Sequence, residues 1–153
     1  MKTVRNAARA VIIQENKLLA VRMRDQDGDF YVLPGGGQQR GETLPVALKR
    51  ECREELGCDI EVGRMLYIRE YIGKNHAFAF RHRDFHQVEA VFECQLCAES
   101  CPGNGHEMDM RQVGFKWIPL NQLNEYRFLP AAIIPCFRDG KLQTESNYLG
   151  DIN

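Results

Sequence analysis

The sequence predicts an α+β layered fold built as one domain. Three observations point there. Short apolar runs with strand-like alternation flank residues 36–58 on both sides. Inside that window lies one segment with helical spacing and its own start and stop signals. A chain of 153 residues, 44% of them hydrophobic, can close a single core and is short for two.

The elements follow in chain order. Residues 7–13 (AARAVII) and 17–23 (KLLAVRM) are strands, joined by the turn Gln14-Glu15-Asn16 into a hairpin. Residues 24–29 are a turn-rich loop, and 30–33 a short strand that delivers the chain to a glycine loop, Gly35-Gly36-Gly37. Thr43 is a good N-cap, Pro45 is tolerated in a first turn, and Gly57 is a stop, so a helix occupies the residues between Thr43 and Gly57. Residues 59–71 make one bent strand or two short ones. Residues 87–97 alternate, with Val88, Ala90, Phe92, Cys94 and Leu96 on one face and Glu89, Glu93 and Gln95 on the other. Residues 114–120 are the last strand. Residues 129–137 are expected as a C-terminal helix, shortened or kinked by Pro135. The tail, 138–153, is polar and expected to be loosely held.

The helix carries its acids in an unusual place. At about 100° per residue, Leu44, Leu48, Cys52 and Leu56 draw an apolar stripe that Ala47 widens. Glu55 projects between Leu44 and Leu48, Glu51 between Ala47 and Leu44, and Glu54 just beyond Ala47. Two unit charges about 4 Å apart repel by roughly 4 kcal/mol at an effective dielectric near 20. Three such carboxylates on a face that should be buried call for a cation, and oxygen-only ligands suit a hard divalent ion, Mg²⁺ or Mn²⁺. The plain alternative is an acidic, solvated helix end with an Arg50–Glu54 surface pair. The glycine loop beside the acids favours the first reading, because backbone N–H groups next to a carboxylate cluster outline a diphosphate site.

These residues carry a family resemblance. Gly36, Glu42, Arg50, Glu51, Glu54, Glu55 and Gly57 occupy all seven fixed positions of the pattern G-x5-E-x7-R-E-U-x-E-E-x-G-U, where U is apolar. Cys52 and Cys58 stand at the two U positions, small and weakly apolar. The window resembles the Nudix box of the Nudix hydrolase family. That resemblance implies an α/β/α sandwich with a mixed central sheet, and metal-dependent hydrolysis of a nucleoside diphosphate linked to another moiety. Nucleotide sugars, ADP-ribose, nucleoside triphosphates and dinucleotides all remain open as substrates. It implies Glu51, Glu54 and Glu55 as metal ligands, with the Gly35 carbonyl as a further candidate. Glu51 or Glu54 would serve the attacking water, Arg50 would position a carboxylate, and Glu42 would brace the loop. A further acid from a later loop would be Glu107 or Asp109. The alternative is a non-catalytic Nudix-like nucleotide-binding module.

Two other stretches stand out. Residues 74–86 (KNHAFAFRHRDFH) mix basic and aromatic side chains. Arg81 and Arg83 offer forks for phosphate, and Phe80, with Phe78 and Phe85, offers rings for stacking, which makes the stretch a candidate substrate-binding element over the face that bears the box. The alternative is a surface loop or strand pair with inward phenylalanines. Cys94, Cys97, Cys101 and His106 resemble zinc spacing, but Cys94 belongs to a core-facing run, so reduced free cysteines are expected. A net charge of −1 gives no field to recruit nucleic acid or anionic membrane. No signal peptide or membrane span is read in the chain, so a cytoplasmic location is expected. The partner is a small molecule. A homodimer is left open.

Overall fold

A computed structural model describes residues 2–105, 107–109 and 111–153; His106 of the zinc-like set lies outside them. The first hairpin forms as expected. Strand β1 (Arg5–Gln14) turns through Glu15 and Asn16, both at positive φ (50° and 58°), into β2 (Lys17–Asp25). Two consecutive left-handed residues make the turn whose twist matches paired strands. β3 (Gly28–Val32) follows. The glycine run is itself a strand, β4 (Gly35–Gly37), antiparallel to Ala7, Ala8 and Arg9 of β1, where a loop was expected. A Cβ on Gly35 would lie 2.1 Å from the Ala8 carbonyl oxygen, and its φ is +135°, so only glycine lets β4 approach.

Helix α1 (Leu44–Leu56) begins at Thr43, whose hydroxyl accepts from the Val46 N–H at 3.4 Å. It ends at left-handed Gly57, whose N–H donates to the Arg53 carbonyl. The remaining strands are β5 (Ile60–Ile72), β6 (His86–Leu96), β7 (Gln112–Pro119), β8 (Phe128–Leu129), β9 (Phe137–Arg138), β10 (Lys141–Leu142) and β11 (Tyr148–Asp151). Between β5 and β6 lies a short helix, α2 (Ala79–His82). β5 is one strand with register shifts near Met65.

The principal sheet runs β11-β5-β6-β1-β2-β3-β8, with β4 on β1 and β7 on β2. It is mixed: β1–β6, β3–β8 and β5–β11 are parallel and the other pairings antiparallel. β1 pairs with β4 along residues 7–9 and with β2 only at residues 13 and 14, so the sheet splits along β1 and the site opens at the split. One face packs under α1, with Leu48, Cys52 and Leu56 against Ala8, Ala10 and Phe92. The other face packs Val11, Tyr67 and Val91 under Leu123 and Ile133. The result is an α+β sandwich with few helices.

Two further expectations are corrected. Residues 129–137 form no α-helix: a 3₁₀ turn, Ala131–Cys136, lies between two-residue strands, because Pro130 and Pro135 both lack the N–H an α-helix needs. The tail is docked. β11 pairs with β5, and the Asp151 carboxylate accepts from the Ile72 N–H (2.9 Å) and the Asn75 amide (2.7 Å) and pairs with the His76 ring (2.5 Å). On the second face of β6, Gln87, Glu89 and Val91 are buried while Glu93 and Gln95 are exposed. Cys94 lies in the core, Cys97 approaches a Glu61 oxygen at 3.6 Å, and Cys101 is exposed. No helix of the described residues is long and apolar enough to cross a membrane.

The two special glycines differ in what surrounds them. Gly57→Ala meets open space and only a left-handed backbone, so it should cost about 1 kcal/mol. Gly35→Ala drives a methyl into β1 and should cost several times more. Urea midpoints compare them directly, and equal losses would contradict the packing of β4.

Candidate functional site

Arg50, on the second turn of α1, ties the box together. Its Nε donates to Glu42 Oε1 at 2.6 Å, and its Nη2 to Glu42 Oε2 (3.0 Å) and the Gly37 carbonyl (2.8 Å). Its Nη1 reaches Glu51 Oε1 (3.1 Å) and Glu54 Oε2 (3.2 Å). The Glu42 carboxylate also accepts from the Gln39 N–H at 2.9 Å, so Glu42 closes the loop between β4 and α1. Arg50, then the Gln39 amide, holds the Glu42 carboxyl below its usual range, and the Glu42 carboxylate keeps Arg50 charged. Gly36 makes room for the acids: a Cβ there would sit 2.5 Å from the Glu51 carboxyl carbon.

Glu55 is the buried acid, 8% exposed. Its Oε1 accepts from the Gly35 N–H at 2.9 Å, and its carbonyl accepts from the Gln112 amide at 2.8 Å. Burial pushes its pKa up to about 8, against the opposing pull of Arg9 and the Gly35 N–H; Glu51 and Asp109 push it further up. Glu51, Glu55, Asp109, Gly35 and Gly36 line a cavity of about 220 Å³. Of the two later acids, Asp109 lines this cavity, while Glu107 is exposed and bonds the Glu54 carbonyl through its backbone N–H (3.1 Å). The Gly35 carbonyl accepts from Arg9 Nη1 at 2.9 Å.

Among the described residues, no three His, Cys, Asp or Glu side chains converge closely enough to hold a metal ion as they stand. Glu51 and Glu54 each turn an oxygen to Arg50 instead. The donor chemistry nevertheless fits a hard divalent cation: a desolvated carboxylate with two further acids around it, and oxygens only.

The opposite face of the sheet holds a charged group that the sequence pattern did not reveal. Glu89 is 3% exposed. Its carboxylate accepts from Arg9 Nε (3.1 Å), Arg69 Nε (2.6 Å) and Gln87 Nε2 (2.7 Å). The alternation of β6 assigns Glu89 to the face away from Ala90 and Phe92, and a solvated acid looks the same in sequence as a buried one. Only the pairing Arg69↔Glu89 on β5 and the parallel neighbour β1 bring the partners together.

Residues 74–86 fold over this Gln87–Glu89 face, not over the one α1 packs on. Tyr71, Phe30, Phe78, His82 and Phe85 wall a cavity of about 190 Å³, which shares Arg5, Arg9 and Met23 with the acid cavity. Each is smaller than the ~300–1,000 Å³ usual for a ligand pocket, but they adjoin as one cleft. Phe78 stands 6.2 Å from Phe30, and Arg127 lies over both rings while pairing with Asp25. Arg81, Arg83 and Phe80 line neither cavity. Phe80 is 74% exposed under the Arg81 guanidinium, Arg81 donates to Gln26 at 2.9 Å, and Arg83 is exposed. The guanidiniums that do line the cleft, Arg5, Arg9, Arg69 and Arg111, come from distant segments without a motif of their own.

Glu89 sets a pH signature. Burial alone would raise its pKa, but Arg9 and Arg69 outweigh this and hold it at about 2, below its ordinary 4.5. A lowered carboxyl pKa contributes stability that is full above 4.5 and is lost as pH falls from about 4.5 towards about 2. Glu89→Gln should lose on the order of 3–5 kcal/mol at pH 7, since it strands two guanidiniums, and should flatten the acid limb of the stability curve. Denaturant titrations from pH 7 to pH 2.5 check both, and parallel acid limbs would contradict the assignment.

Comparison with known proteins agrees with this geometry. The chain is 46% identical over 55 residues to nucleoside triphosphatase NudI of Enterobacter sp. (strain 638), a match covering 33% of this chain and 39% of that one. It is 30% identical over 90 residues to the NudI of Escherichia coli O139:H28 (strain E24377A / ETEC), covering 55% and 63%. The chain thus spans less than two thirds of the length of these curated relatives. The crystal structure of MutT NUDIX hydrolase from Burkholderia pseudomallei superimposes with a TM-score of 0.60 at 26% identity, over 78% of this chain and 85% of that one. A profile of the NUDIX domain matches residues 3–136, from the strand that pairs with the glycines to the last 3₁₀ turn. With the acid helix, its arginine tie and the glycine strand all inside that span, the chain belongs to the NUDIX domain family.

Proposed function

We propose that this chain is a metal-dependent hydrolase of phosphoric anhydrides, acting on a nucleoside diphosphate linked to another moiety. The observation that carries the reading is Glu55: a desolvated carboxylate facing Glu51 and Asp109 across a cavity floored by the Gly35–Gly36 backbone. Nucleoside triphosphates head the substrate set, because the curated relatives from Enterobacter sp. and Escherichia coli are named nucleoside triphosphatases. Nucleotide sugars, ADP-ribose and dinucleotides complete it.

Glu51, Glu54 and Glu55 would hold the cation, Mg²⁺ or Mn²⁺, with the Gly35 carbonyl and Asp109 as further oxygens. When bound, such an ion neutralises charge on anhydride oxygens and makes water a better nucleophile. The protein's own groups do the rest. A water oxygen attacks phosphorus, the bridging P–O bond breaks, and the leaving phosphate keeps the electron pair. A box carboxylate, Glu51 or Glu54, takes the proton of the attacking water. Arg50 restricts where those two carboxylates point, and Arg5 and Arg9 neutralise phosphate charge where the two cavities join. A cytoplasmic location belongs to the same reading.

A phosphate-release screen across these pyrophosphates, with Mg²⁺ and with Mn²⁺, tests the reading. Glu54→Gln and Glu55→Gln should each lower kcat by about 100-fold or more while circular dichroism keeps its wild-type form. Mg²⁺ should raise the melting temperature of the wild type, and raise it less in Glu55→Gln. Near wild-type turnover in both variants would remove the acids from the mechanism.

A further inference from the structure

We infer that Asp151, in the C-terminal tail, is a positioning residue for nucleotide binding: its carboxylate anchors the segment that carries three rings of the aromatic cavity. The inference rests on the nucleotide reading above and deepens it, because it places the base between those rings. Tyr71, Phe30, Phe78, His82 and Phe85 give the cavity flat walls, and Arg5 and Arg9 line both it and the acid cavity where the anhydride would lie. Flat rings beside cations suit a planar base joined to phosphate. Phe78, His82 and Phe85 all come from the excursion between β5 and β6, residues 73–85. That excursion has little regular structure of its own, a 3₁₀ turn at Gly73–Asn75 and the four residues of α2. Its rings are therefore held by what it docks on.

It docks on the tail. One carboxylate collects three partners where the chain leaves β5. Asp151 Oδ1 accepts from the Ile72 N–H at 2.9 Å and pairs with His76 Nε2 at 2.5 Å, and Oδ2 accepts from the Asn75 amide at 2.7 Å. His76 in turn stacks on Tyr71, with ring centroids 5.2 Å apart and planes 15° from parallel. The Tyr71 hydroxyl bonds His82 Nδ1 at 3.0 Å, and the Tyr71 ring lies 6.0 Å from Phe85. The path from the tail to the cavity wall is thus continuous: carboxylate, imidazole, phenol, then His82 and Phe85. The tail also reaches the cavity directly. Arg69 Nη1 donates to the Ile152 carbonyl (2.6 Å) and to Asn153 Oδ1 (3.4 Å), and Asn153 lines the cavity. Asp151, Ile152 and Asn153 lie beyond residues 3–136, the span that the NUDIX domain profile matches. Rings already fixed need no ordering when a base enters, whereas loosened rings must be ordered at the expense of affinity.

The test measures calorimetric Kd values for the 5′-monophosphates of adenosine, guanosine, cytidine and uridine, which have no anhydride to cleave. The tightest of these should bind Asp151→Ala about tenfold more weakly than the wild type. Asp151→Asn should stay within about twofold of the wild type, since it keeps an oxygen for Ile72 and His76, and the Asn75 amide can turn over to accept from it. Tyr148→Phe is the control. It removes the tail's hydroxyl contact with Glu70, neither of which lines the cavity, and should also leave Kd within about twofold. On the best anhydride substrate, Asp151→Ala should raise KM and leave kcat unchanged, as the loss of binding common to ground and transition states does. If Asp151→Ala does not melt cooperatively, His76→Ala replaces it and removes the same pair from the other side. A wild-type Kd in Asp151→Ala, an equal loss in Asp151→Asn or Tyr148→Phe, or no binding of any monophosphate by the wild type would overturn the inference. The expected Kd pattern without any anhydride hydrolysis would leave it standing and defeat the proposed reaction. Hydrolysis with Kd unmoved by Asp151→Ala would do the reverse.

Discussion

One guanidinium constrains the box. Arg50 donates to both Glu42 oxygens, the Gly37 carbonyl, Glu51 and Glu54, and these acceptors come from β4, from the loop before the helix and from the helix itself. A planar fork can satisfy several carboxylates at fixed angles where a lysine would make a point contact. Without it, the acids of α1 would repel one another and the glycine strand would lose its tie to the helix. Arg50 is half-buried, so these contacts are screened less than surface pairs are.

The second constraint is the split along β1. The strand gives Ala8 and Ala10 to the core under α1, and Arg9 to the opposite face, where it meets Glu89. Arg9 also donates to the Gly35 carbonyl and lies close enough to Glu55 to pull against its raised pKa. One residue therefore links the buried charge group under the aromatic cavity to the acid cavity. Removing a member of such a group is costly because the remaining charges stay buried without partners. The cleft is built where the sheet cannot close.

The helix was legible because everything that defines it is local. Thr43, Pro45, the stripe through Leu48 and Cys52, and Gly57 all act within a few residues. The first hairpin was legible for the same reason. Glu89 was not, since alternation along β6 assigns a face but does not say what covers it. The C-terminal region misled because Leu129 to Phe137 is apolar at helical spacing while two prolines deny it the backbone bonds. The tail looked polar and loose, yet Asp151 finds three partners on the chain leaving β5, and burial notwithstanding, those partners hold its pKa at about 2. In residues 74–86 the composition pointed to Arg81, Arg83, Phe78, Phe80 and Phe85; the cleft takes Phe78 and Phe85, adds His82, and leaves Arg81, Arg83 and Phe80 outside. Which side of a short turn faces inward depends on Phe30 and Arg127, far away in sequence.

The central claim is that the acids of α1 and the glycine strand form a cation site. Crystals soaked in Mn²⁺ and measured at a wavelength where manganese scatters anomalously test it most directly. The account predicts an anomalous peak in the cavity between Glu51, Glu55 and the Gly35 carbonyl, about 2.0–2.3 Å from carboxylate oxygens, with Glu54 swung away from Arg50. A peak elsewhere, or none under Mn²⁺ concentrations that support hydrolysis, would contradict it.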